Sequence, residues 1–67
     1  MTNTIKVERA KKGLTQTDLA EMVGVTRLTI HSIEAGKFKP SVMLALKIAA
    51  CFEVAVEEIF ELEENDL

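Results

Sequence analysis

Between Thr26 and Gly36, residues Leu28, His31, Ser32 and Ala35 recur at helical spacing on one face, with Arg27 beside them in the first turn. Ile30 and Ile33 point the other way. A guanidinium pairs bidentately with the O6 and N7 atoms of guanine, and an apolar side chain suits the thymine methyl. Histidine and serine add hydrogen-bonding groups to the same face. The set is therefore suited to base edges in the major groove of duplex DNA, with Arg27 open to either a guanine or a phosphate. Thr29 reaches that surface from the helix edge or packs half-buried. His31 is not expected to hold a metal, because no second histidine and only one cysteine accompany it.

A reader of base edges also needs donors for the phosphates that fix its register. Gln16 opens the preceding helix, where free amides and a positive helix end favour an anion. Thr15 and Thr17 flank it, Thr26 stands at the start of the next helix, and Lys37 and Lys39 follow that helix in a loop. These six residues are the expected phosphate contacts, with Thr15 and Thr26 serving first as helix caps.

Two helices and a tight turn must hold these side chains. Thr15 caps the earlier helix and Asp18, three residues on, completes a capping-box pattern. Leu19, Met22 and Val23 form its expected inward stripe. Gly24 supplies the left-handed turn that glycine adopts without steric cost. Thr26 then caps the helix that ends at Gly36. The layout is a helix-turn-helix over about residues 16–35. Around it, the spacing of Val7, Ala10 and Leu14 predicts a first helix over roughly 7–12. Ser41 caps a fourth over 42–52, apolar all round except Lys47, so that more than one of its faces needs cover. A fifth short helix is expected over 56–60, and residues 61–65 are expected to pair as a strand with residues 2–6. The fold class is all-α: five helices with a short two-stranded antiparallel sheet from the two ends.

With 67 residues, the chain has room for one domain. Such a domain buries only about 60% of its unfolded surface, so oligomerisation is expected to support it. The lone Cys51 sits in an apolar run and reads as a buried hydrophobe rather than a redox thiol. No secretory or membrane-spanning stretch is visible, which predicts a cytoplasmic protein. The formal charge of −3 argues against nucleic acid only when averaged. Residues 1–52 hold all eight basic residues against four acids, whereas residues 53–67 hold seven acids and no base. The body is basic and the end acidic.

The stretches Leu14-Thr-Gln-Thr-Asp-Leu-Ala20, Val23-Gly-Val-Thr-Arg27, Ile33-Glu-Ala-Gly-Lys37, Pro40-Ser41 and Leu46-Lys-Ile-Ala49 together resemble the Xre/Cro-repressor family of helix-turn-helix regulators. The ending Glu57-Glu-Ile-Phe60 with its acidic tail is similar to the small single-domain branch typified by the cytolysin repressor. The resemblance covers nearly the whole chain. It implies a five-helix domain, homodimerisation, palindromic operators, a Gln16 that grips the DNA backbone, and a partly buried Arg9–Glu34 ion pair joining the first and third helices. Three positions depart from the pattern. Leu28 stands where many relatives have an adenine-reading glutamine, Glu53 where a glycine separates the last two helices, and Ala55 where a serine caps the fifth.

The expected function is a sequence-specific transcriptional regulator, a repressor, acting as a homodimer on duplex DNA. The dimer surface is expected at Ile59, Phe60 and Leu62, away from the DNA. The alternative is a protein-interaction module, such as the antitoxin of a toxin–antitoxin pair, whose acidic tail engages a basic partner. An enzyme is not expected: no cysteine–histidine pair has a third group, no glycine-rich phosphate loop exists, and the carboxylates crowd the tail. No cofactor, metal or small-molecule effector is implied.

Overall fold

A computed structural model describes residues 1–67. Strand β1 (Thr2–Asn3) leads into α1 (Ile5–Lys12), α2 (Gln16–Val23), α3 (Arg27–Glu34), α4 (Val42–Phe52) and α5 (Val56–Ile59), followed by β2 (Phe60–Glu61) and a 3-10 turn over Glu64–Asp66. The five helices and the terminal sheet are the architecture expected from sequence.

The caps explain where α2, α3 and α4 begin. Thr15, Thr26 and Ser41 are extended, and each side-chain oxygen accepts from the amide three residues on: Asp18, Thr29 and Leu44, at 3.0, 3.2 and 3.1 Å. Asp18 returns the bond to the Thr15 amide at 2.9 Å, closing the capping box. Those backbone and hydroxyl donors hold the Asp18 carboxyl below its usual pKa. Gly24 ends α2 at φ 77°, a left-handed conformation that would strain any residue with a Cβ.

The core lies where α2, α3 and α4 face each other. Leu19, Ile30, Ile33 and Ile48 are fully or almost fully buried there, with Ile5 from α1, Phe52 from α4 and Ile59 from α5 closing the ends. Ala20 and Ala49 keep the contact close.

Several boundaries and faces differ from the sequence reading. The first helix starts at Ile5 rather than near residue 7, because the Asn3 side chain accepts from the Ile5 amide at 3.2 Å and nucleates the turn early. Ile5 and Arg9, one turn apart, then share the inward face, so Val7 is turned out to solvent. Met22 is likewise exposed, since α2 buries Leu19, Ala20 and Val23 instead. The sheet is shorter and shifted from the expected pairing of 61–65 with 2–6. Thr2 pairs Glu61 and Asn3 pairs Phe60, because α1 claims the chain from Ile5 and residues after Leu62 wind into the 3-10 turn. Ile59, expected at a dimer surface, belongs to the protomer's core at 2% exposure.

Candidate nucleic-acid interface

Helix α3 presents Arg27, Leu28 and His31 to solvent, with Thr29 and Ser32 half-buried beside them. Ile30 and Ile33 anchor its opposite side, so the helix is fixed by its apolar stripe and free on its polar one. The hydroxyls of Thr26 and Thr29 lie 3.0 Å apart and share one hydrogen bond. Thr29 is therefore bound into the cap.

Three residues lock α3 to α1 and α2. Arg9 Nε donates to Glu34 Oε2 at 2.7 Å and Nη2 to Oε1 at 3.0 Å, while Nη1 donates to the Leu14 carbonyl at 2.9 Å. The planar guanidinium fork fits a carboxylate in this way, and lysine would not. Hydrogen bonding to Glu34 raises the Arg9 pKa above its already high value. Gln16 Nε2 donates to Glu34 Oε1 at 3.3 Å and lies 3.5 Å from His31 Nδ1. The sequence reading gives this residue to a phosphate alone. The amide nitrogen thus ties the start of α2 to Glu34 and lies within reach of His31 on α3, leaving the carbonyl oxygen for an outside partner.

The loop after α3 folds back on that helix. The amides of Lys37 and Phe38 both donate to the Ser32 carbonyl, at 2.9 and 3.3 Å. Lys37 projects freely. Lys39, expected to serve DNA, is instead held by Asp66 at 2.6 Å. Asp66 also receives the amino terminus at 2.5 Å and the Glu63 amide at 2.8 Å. Lys39 is the largest cause of an Asp66 pKa far below the usual carboxylate range. The acidic end is thus partly neutralised from within rather than trailing as a free tail. Asn3 Nδ2 donates to the Ile33 carbonyl at 2.9 Å, giving the end of α3 a further tie to β1.

Sequence reasoning missed Phe38, which stands half-exposed beside Leu28. It also missed the ties of Asn3 and Asp66, for which no local pattern gives a signal. The thoroughly apolar α4 did signal an unmet need for cover. Val42, Met43 and Leu46 remain exposed on it. No three histidine, cysteine or acidic side chains converge in a metal-like group, and no helix is long and apolar enough to cross a membrane.

A family model described as helix-turn-helix matches residues 5–59, and the chain belongs to that family, the Xre/Cro-like DNA-binding transcriptional regulators. It is 50% identical over 66 residues to an uncharacterized HTH-type transcriptional regulator of Methanocaldococcus jannaschii, covering 98% of this chain and 100% of that one. Among solved structures, the restriction-modification controller protein C.AhdI from Aeromonas hydrophila superposes with a TM-score of 0.77 at 30% identity, over 84% of this chain and 85% of that one. SinR, a master regulator for biofilm formation solved in complex with DNA, gives 0.72 at 35% identity, over 79% and 86%.

Proposed function

We propose that the chain is a sequence-specific repressor that binds a pseudo-palindromic operator as a homodimer, with α3 in the major groove. The observation that carries this reading is the face of α3, where Arg27, Leu28 and His31 are exposed on a helix whose other side is buried. Arg27 serves a guanine, while Gln16 and Lys37 hold phosphates on either side. Thr15, Thr17 and Thr26 are subsidiary phosphate contacts.

Eight residues of helix span about 12 Å and cover only a few base pairs. Two copies, about 34–36 Å apart, double the reading on half-sites one helical turn apart. Phe60 and Leu62 keep their place at the dimer surface, but the larger apolar area is on α4. Val42 and Met43 lie at its N-terminal end, Leu46 in the middle and the small Ala50 towards the other end. Antiparallel packing of two such helices sets the large residues of one copy against the small one of the other. A second copy of this chain is the occupant that order suits. Repression then requires only that the bound dimer occlude its promoter. Capture of a basic protein by the acidic tail is less well supported, since Asp66 is engaged by Lys39.

Sedimentation of the protein with a duplex recovered from a random pool tests this reading. Two chains per duplex are expected, with affinity falling steeply as salt rises. One chain per duplex, or affinity indifferent to salt, would overturn it.

A further inference from the structure

Leu28 and Phe38 are 64% and 50% exposed. They come from different elements, yet they meet over one shallow cavity of about 200 Å³ whose other walls are Thr29 and Ser32. Apolar residues scattered singly over a surface need no explanation, but two that flank a common depression do. Phe38 is held there by structure. The paired donation of the Lys37 and Phe38 amides to the Ser32 carbonyl turns the loop back against the last turn of α3.

The polar side of the slot is just as restricted. The Thr29 hydroxyl already shares a hydrogen bond with the Thr26 hydroxyl at 3.0 Å. Ser32 supplies the remaining hydroxyl in the lining, and no other side chain holds it. The slot thus offers two apolar walls and a Ser32 hydroxyl with no side-chain partner, between the helix that carries the exposed Arg27 and the loop that carries the exposed Lys37. Among base edges in the major groove, thymine is the one that places a methyl group beside an acceptor, its O4. Adenine and guanine present no apolar group there, and cytosine places an amino donor where thymine has O4.

We propose that this slot is a thymine subsite, in which Leu28 and Phe38 enclose the C5-methyl and the Ser32 hydroxyl donates to O4. Phe38 thereby becomes a specificity-determining residue that lies outside the recognition helix. The inference rests on the reading of α3 as the DNA-reading helix. It also gives the replacement of glutamine by Leu28 a physical purpose, since an adenine contact is exchanged for a thymine contact.

The experiment removes one methyl group at a time. A preferred duplex is selected from a random pool with the full chain, and each thymine in it is replaced singly by uracil. At one thymine per half-site the replacement is expected to weaken binding about three- to tenfold, the scale of one buried methyl group, with smaller changes elsewhere. Leu28→Ala and Phe38→Ala are each expected to weaken binding to the thymine duplex by a similar factor and to abolish the uracil effect at that position. Both side chains are half-exposed or more, so far-ultraviolet circular dichroism of the variants should match the parent. A preferred duplex that tolerates uracil everywhere would overturn the slot while leaving the DNA reading intact, and would assign the patch to a protein partner. A uracil effect undiminished in both variants would also overturn it. Recovery of no preferred duplex would contradict the DNA reading itself, and the slot with it.

Discussion

Two residues on the same surface are expected to fail in different ways. Arg27, on the first turn of α3, is proposed to read a base, whereas Lys37, in the loop beyond it, is proposed to hold a phosphate. Lys37→Ala should weaken binding to all sequences alike and reduce the slope of log affinity against log salt by about one. Affinities for a preferred and a scrambled duplex across a salt series check this; a loss confined to the preferred duplex would reverse the assignment. Arg9 and Glu34 act on the fold instead. Their side chains are 14% and 9% exposed, so stripping one partner leaves a poorly solvated charge. Glu34→Ala is expected to cost about 2–4 kcal/mol in urea unfolding. A cost no greater than that of an exposed glutamate would show the pair to be dispensable. Single residues were legible in the sequence where chemistry follows residue type and a near neighbour, as with the Thr15 hydroxyl that accepts from the Asp18 amide. They were not legible where a distant partner decides, as when Asp66 takes up Lys39 or Glu34 holds one hydrogen of Gln16.

Helices with sequence-local caps were readable almost to the residue, since Thr15, Thr26 and Ser41 each act three positions away. The ends of α1 and the strands were not, because Asn3 starts the helix through its own side chain and the sheet joins residues far apart in sequence. The junction of α4 and α5 carries the chain's clearest local strain. Glu53 ends α4 at φ 57°, the only non-glycine residue with positive φ, and Ala55 gives α5 no side-chain cap. Only the reciprocal bond from the Ala55 amide to Glu58 Oε2, at 2.9 Å, remains. Glu53→Gly should stabilise the protein by about 0.5–1 kcal/mol, relief of left-handed strain exceeding the added freedom of the unfolded chain. Ala55→Ser should add about 1 kcal/mol by restoring the cap. Thermal melting of the two variants checks both; a fall in melting temperature in either would show that the junction is already relaxed.

The whole chain is an acidic molecule that presents a basic body, and its charge separation was visible from the sequence alone. Asp18 and Asp66 have folded pKa values below their unfolded ones, so each adds stability above an unfolded pKa of about 3.9 that is lost as pH falls through the lower folded value. Urea midpoints should therefore hold level from neutral pH to about 5 and decline below about 4, with Asp18→Asn flattening part of that decline. An acid limb identical in that variant would remove Asp18 from the explanation. The proposed two-fold assembly also belongs to the whole molecule. Leu46→Glu places a charge on the exposed face of α4 without touching the buried core, and should yield a folded monomer that binds the operator at least tenfold more weakly. A variant that stays dimeric would move the interface elsewhere.

Whether α3 reads sequence is decided by the base-preference profile of the parent against that of Arg27→Ala. Selection from a random duplex pool is expected to give, for the parent, a two-fold motif with half-sites one helical turn apart. For Arg27→Ala the same motif should return with preference relaxed at one base pair in each half. An identical profile from both proteins, or no profile from the parent, would contradict sequence reading by α3.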